Sequence, residues 1–165
     1  MSKLRLSGIL GMMVVAGNVV LGILLGGSAS IFINIPAFVL VVGVGMGLQL
    51  ATVGGAAFFE SIRAVRILAI ELPPEVIRPG LSGDLRGFAR HLYAASALGA
   101  LIGFIQMLAS MDDFSTLHFA LGVVLLAPFY ATLLAECVLR PCANRVDYLL
   151  GPEESAVQRG ETGEA

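Results

Sequence analysis

Charged residues are scarce in this chain, and tryptophan is absent. Asp, Glu, Lys and Arg make up 13% of the 165 residues, whereas 57% are hydrophobic. A soluble domain of this length could not keep so much apolar surface away from water. The few basic residues are too dispersed for a nucleic-acid-binding surface. Without a phosphate-binding loop, a nucleophile motif or a cluster of metal ligands, we expect no enzymatic activity, no cofactor and no metal site.

The apolar residues are concentrated in four stretches, at residues 8–27, 34–58, 92–111 and 117–139. Each stretch has the length of about 20 residues that a membrane-spanning helix requires. Because lipid offers no hydrogen-bond partner, each span must satisfy its backbone polar groups internally, as a helix does. We therefore predict an all-α membrane protein with four transmembrane helices in a single domain, residues 1–150.

The positive charges predict how these spans are oriented. They lie before the first stretch, between the second and the third, and at or after the end of the fourth. Cytoplasmic loops retain Lys and Arg, so both termini and the central link should be cytoplasmic in a multi-pass protein of the bacterial inner membrane. The alternative for the first stretch is a cleaved signal peptide, but its apolar run is longer than the 7–15 residues usual for a signal core.

The cytoplasmic parts of the chain are short. Residues 60–68 have an amphipathic pattern that predicts a continuation of the second helix into the cytoplasm, ending before Pro74. Residues 79–83 read as a turn, and residues 84–91 should lead directly into the third span. The polar, acidic tail at 151–165 is expected to be disordered.

Small residues recur every four positions in two of the spans. Gly43 and Gly47 do so in the second span, and Ala95, Gly99 and Gly103 in the third. This spacing lines one face of a helix with small side chains, so that backbones can approach closely. The face could serve packing within the chain, contacts with other subunits, or both.

Polar side chains inside the spans are few. Glu136 lies about one turn from the inner end of the fourth span, and Arg140 follows at the spacing of a helical ion pair. The pair could anchor the helix end at the membrane surface, or Glu136 could belong to an ion path. We expect most of the other polar side chains to form hydrogen bonds between helices: Asn18, Gln49, Thr52, Ser96, Gln106, Tyr130 and Thr132.

Several motifs follow one another along the spans. They are Phe32-Ile33-Asn34-Ile35-Pro36-Ala37, the run from Gly99 to Leu108, Asp112-Asp113, Phe129-Tyr130-Ala131, and Pro141-Cys142-Ala143-Asn144-Arg145. Together they resemble the flagellar stator MotA proteins. The resemblance covers roughly residues 8–58 and 92–146 and preserves the order and spacing of the family's third and fourth spans.

The resemblance implies a subunit of the MotA/TolQ/ExbB proton-channel superfamily. Such proteins form homopentamers around single-span partners of the MotB/TolR/ExbD type, and the partner supplies a protonatable Asp in the membrane. Proton flow past that Asp powers motility or work on the cell envelope. By family position, the ion-path candidates are Ala100, Pro128, Tyr130 and Glu136, and the packing candidates are Gly43, Gly47, Gly99, Gly103 and Pro141.

Departures from the family pattern bear on conduction. The family has threonines where this chain has Ala100 and Pro128, and a proline where it has Tyr93. The segment 59–91 is also far shorter than the cytoplasmic region that contacts the flagellar rotor in stators. Two hypotheses follow. One is a reduced channel or motor subunit, and the other is a structural ring or scaffold that does not conduct protons.

Reporter tags test the predicted topology. Tags at both termini and near Gly80 should report a cytoplasmic location, and tags near Ser30 and Ser115 a periplasmic one, because the positive charges all lie on one side. A periplasmic C-terminus would contradict the four-span arrangement.

Overall fold

The computed structural model describes residues 6–65, 77–109 and 114–151, and these ranges contain helices and turns but no strand. The all-α fold predicted from the sequence is confirmed. The helices are α1 (Leu6–Leu25), a 3-10 turn (Ala29–Phe32), α2 (Ile35–Arg63), α3 (Leu81–Ala109), α4 (Phe114–Leu134), a π-helical turn (Ala135–Leu139) and α5 (Arg140–Leu150). The central residues 66–76 and the tail from 152 lie outside the described ranges, and so does the predicted helix end before Pro74.

Within the described ranges, three helical segments are long and apolar enough to cross a membrane: Ala29–Arg63, Leu81–Ala109 and Val124–Leu150. Residues Leu10–Leu25 of α1 form a shorter apolar helix. Large hydrophobic side chains are exposed along α1, α2 and α3, as expected for helices that face lipid. These features identify a multi-pass membrane protein. The first span and the orientation stay predictions.

Helix α3 lies at the centre of the bundle and packs against α2, α4 and α5. Its buried residues Leu85 and Leu92 belong to one apolar core with Val41 of α2 and Val146 of α5. Three small side chains four residues apart, Ala127, Ala131 and Ala135, enter this core from α4 and the π-helical turn, and Leu139 joins them at the end of that turn. Small residues four apart let α4 approach α3 closely. Among the residues of α1 whose burial the structure describes, only Met12, which is partly buried, packs against this core, so this part of the helix lies largely apart from the bundle.

The glycines of α2 and α3 divide into an internal and an external group. A Cβ added at Gly45 would lie 2.6 Å from Leu92 Cδ2, and one at Gly99 would lie 3.1 Å from Leu40 Cδ2. Gly103 is buried as well. Gly43 and Gly47 are exposed, and nothing lies within 4 Å of a Cβ added at either position. The predicted small-residue faces therefore have different surroundings: that of α3 is used within the chain, and that of α2 points outward.

The sequence predicts that the second helix continues through residues 60–68, but α2 breaks at Gly54. This residue has φ 77° and ψ 169°, a conformation that glycine adopts without steric penalty. Met46 and Ile62 line the same cavity of about 250 Å³, although a straight helix would separate them by about 24 Å. The residues after Gly54 therefore turn back along the bundle, where Phe58 meets Phe88 at 6.5 Å between ring centroids.

The contact of Gly45 with Leu92 predicts a position-specific loss of stability. In Gly45→Val, the added side chain must displace Leu92, which is 2% exposed and surrounded by core residues. Such overpacking costs about 1–3 kcal/mol, so thermal unfolding in detergent, followed by circular dichroism, should shift to lower temperature. Gly17→Val is the matched control, because nothing lies within 4 Å of a Cβ there. Equal shifts in both variants would contradict the close α2–α3 contact.

Candidate functional site

The candidate site is the carboxylate of Glu136, which lies between two hydrogen-bond donors, the side chains of Tyr93 and Arg140. Glu136 lies in the π-helical turn Ala135–Leu139, and its side chain is 37% exposed. The Tyr93 hydroxyl donates a hydrogen bond of 2.6 Å to Glu136 Oε1. Arg140 Nη1 lies 3.2 Å from Glu136 Oε2. Each carboxylate oxygen thus has its own partner, and the ion pair predicted from the spacing of Glu136 and Arg140 is present.

A further hydroxyl extends this cluster. Thr132 is one turn before Glu136 on α4, and its hydroxyl lies near the Tyr93 hydroxyl. Thr132, Tyr93 and Glu136 therefore form a short series of groups that can each accept and donate a proton. We call these three residues, with Arg140, the Glu136 cluster. A π-helical turn inside an α-helix is frequently found at functional sites, so the turn that carries Glu136 is a candidate functional site.

Two of the ion-path candidates lie away from the Glu136 cluster. Ala100 is half-buried on α3, seven residues after Tyr93, and Pro128 is exposed on α4, eight residues before Glu136. These separations correspond to about 10 and 12 Å along a helix axis. Neither side chain can hydrogen-bond, and Pro128 also has no N–H for the α4 backbone.

The third candidate, Tyr130, connects α4 to the start of α2. Its hydroxyl donates to the Phe32 carbonyl at 2.6 Å and accepts from the Asn34 N–H at 2.8 Å. Asn34 in turn caps α2, since its Oδ1 accepts from the Ala37 N–H at 3.0 Å. The Tyr130 ring packs edge-on against Phe38, with 5.5 Å between centroids. These contacts make Tyr130 a structural link between two helices.

Another polar cluster lies in the contact of α2 with α3. Gln49 is fully buried, and its Nε2 donates to the Asp84 carbonyl at 3.0 Å. Its Oε1 lies 2.9 Å from His91 Nδ1. The hydrogen bond between helices expected of Gln49 is confirmed. Asn18 and Thr52 are exceptions to this expectation, because they bond to carbonyls of their own helices, at 2.8 and 2.7 Å.

Ion pairs concentrate at the end of the bundle where the arginines lie, which we call the basic end. Arg86 Nη2 lies 2.6 Å from Asp147 Oδ2, and Arg78 Nε lies 2.5 Å from Glu60 Oε2. Arg78 also pairs with Asp84. Partial burial lowers the pKa of the Arg78 guanidinium, but the hydrogen bonds that it donates to Glu60 and Asp84 outweigh this effect and raise that pKa. Arg78 therefore stays charged and joins the end of α2 to the start of α3.

Sequence reasoning missed Tyr93, His91 and the Arg86–Asp147 pair as parts of these clusters. Tyr93 and Glu136 are 43 residues apart, and Arg86 and Asp147 are 61 apart. Such distances leave no local spacing by which the partners could be matched. Pro141, predicted as a packing residue, lies half-buried in the first turn of α5, directly after the π-helical turn.

Comparison with protein-family models and with curated proteins yields no match to this chain. The contacts of the described residues are therefore the basis for a functional proposal.

Proposed function

We propose that the chain is the multi-span subunit of a proton-driven channel or motor complex of the MotA/TolQ/ExbB type. A single-span partner of the MotB/TolR/ExbD type would supply the membrane Asp. The complex would couple ion flow across the bacterial inner membrane to work on the envelope or to motility. The observation that supports this proposal most is the Glu136 cluster.

The chemistry of the Glu136 cluster suits proton transfer. An ionisable side chain inside an apolar span is costly to place in a membrane, so its presence there favours a functional role. Next to the carboxylate lie the hydroxyl of Tyr93 on α3 and that of Thr132, which is one turn further into the span on α4. They can replace in part the family hydroxyls that this chain lacks at Ala100 and Pro128. Glu136 would take up or release the proton at the basic end.

The exposed face of α2 supports assembly into the homopentamer of the proposal. Gly43 and Gly47 have open space around them, and α2 displays Val39 and Leu50 on its exposed surface. Close packing of a second helix against such a face is possible only because the glycines have no side chain. Gly99 and Gly103 are buried within the chain and would serve folding instead.

A non-conducting ring or scaffold is the second candidate. The observation that favours it is the pairing of Glu136 with Arg140, since a salt bridge at a helix end is also a way to anchor a span. The use of the Tyr130 hydroxyl in packing points in the same direction. Both candidates share the ring and differ only in conduction.

Substitutions on α2 test the assembly. The double change Gly43→Leu and Gly47→Leu should reduce a pentamer to smaller species in native mass spectrometry, because leucine prevents close approach of helices. Gly17→Leu, at an equally open glycine of α1, should leave the pentamer intact. A wild-type chain that is monomeric at every concentration would contradict the proposal, as would equal losses in both variants.

Proton flux in liposomes tests conduction. With a pH gradient imposed across the membrane and the partner present, Glu136→Gln should abolish flux, and Tyr93→Phe should lower it at least tenfold, because each removes a group that passes the proton. Glu60→Gln is the matched control. It removes a similarly exposed carboxylate that also pairs with an arginine, but one outside the Glu136 cluster.

The same assay separates the two candidate functions. Wild-type flux that Glu136→Gln leaves unchanged would refute the role given to the Glu136 cluster. Absence of wild-type flux would favour the scaffold. In that case, introducing hydroxyls through Ala100→Thr and Pro128→Thr together should raise flux, since these are the two family positions at which the chain has none.

A further inference from the structure

A cavity of about 580 Å³ opens at the basic end, between α3 and α5. Three arginines line it, Arg86 and Arg90 from α3 and Arg140 from α5, together with Asn144 and Tyr93. Among the residues that the structure describes, no carboxylate lines it. We call it the basic cavity. Its size lies in the range of small-molecule sites in proteins, about 300–1,000 Å³.

The lining retains positive charge after the ion pairs are counted. Asp147 pairs with Arg86, and Glu136 pairs with Arg140. Arg90 is exposed and has no ion-pair partner among the residues that the structure describes. A guanidinium has five N–H donors, so the paired arginines also keep donors for a further acceptor. The basic cavity therefore suits an anion with several oxygen acceptors.

The level of the basic cavity along the bundle indicates where such an anion would come from. Arg86 and Arg90 immediately precede the apolar stretch 92–111, and Arg140 immediately follows the apolar stretch 117–139. This is the level at which phospholipid headgroups meet the ends of membrane helices, and basic pockets between helices bind such headgroups. Guanidinium groups match the oxygens of a phosphate well in geometry and charge.

We propose that the basic cavity binds a phosphate group, and that an anionic phospholipid supplies it. Arg90 provides the unpaired charge, Arg140 and Arg86 provide further donors, and the Asn144 amide provides a neutral one. The acyl chains would leave the basic cavity along the exposed apolar surface of the neighbouring helices. Soluble phosphate shares the chemistry of the headgroup but lacks this apolar contact. Lipid binding by the basic cavity does not depend on proton conduction.

Lipid binding to the full-length chain tests the proposal. In detergent, titration with phosphatidylglycerol followed by native mass spectrometry should show a bound lipid, with phosphatidylcholine binding more weakly. Arg90→Gln should weaken phosphatidylglycerol binding about fivefold, the effect of one basic residue at a membrane surface. Arg63→Gln is the matched control, because Arg63 is an exposed arginine of α2 outside the lining of the basic cavity. Binding of phosphatidylglycerol to Arg63→Gln should differ little from binding to the wild-type chain.

Further arms of this experiment distinguish the sources of phosphate and the effects of misfolding. Glycerol 3-phosphate should displace the lipid only at concentrations far above that of the lipid. Displacement at equal concentration would identify a soluble phosphate as the ligand and overturn the lipid assignment. Equal weakening in Arg90→Gln and Arg63→Gln would also overturn it, because diffuse charge would then explain binding. Arg90→Lys keeps the charge, so it should bind the lipid more tightly than Arg90→Gln does. Equal binding by these two variants, with unchanged helicity, would count against the proposal.

Discussion

The close approach of α2 to α3 is the contact on which the rest of the bundle depends. It is possible because Gly45 faces Leu92 with no side chain of its own. With the helices this near, the buried Gln49 can reach the Asp84 carbonyl and His91 and satisfy its amide inside an apolar bundle. A wider separation would leave that amide without partners, at a cost of about 1–3 kcal/mol for each unsatisfied group.

Patterns that depend on neighbouring residues were predicted well from the sequence. The apolar runs predict the three long helices, and the spacing of Glu136 and Arg140 predicts their ion pair, because both follow from the 3.6-residue repeat of one helix. The break at Gly54 was missed, although two successive glycines stand there. Glycine is common in membrane helices, so its presence alone does not distinguish a break from a packing site.

Contacts between distant parts of the chain could not be predicted in this way. Tyr93 meets Glu136 only because α3 packs against the last span, and no feature of either local sequence specifies the other. The small-residue faces of α2 and α3 are a second example, because their repeats do not predict which face is buried. Gly43 and Gly99 belong to similar repeats, but Gly99 is buried against Leu40 and Gly43 is open, which depends on how the helices are rotated in the bundle.

Tyr93 and Arg140 belong to both the Glu136 cluster and the lining of the basic cavity. One guanidinium would therefore serve two anions, the carboxylate inside the span and a phosphate at its end. Because both anions share the charge of Arg140, binding of one changes how strongly the other is held, and by thermodynamic linkage the effect is equal in both directions. The lipid composition of the membrane would then act as an effector of the carboxylate, transmitted through a single side chain without any rearrangement of the helices.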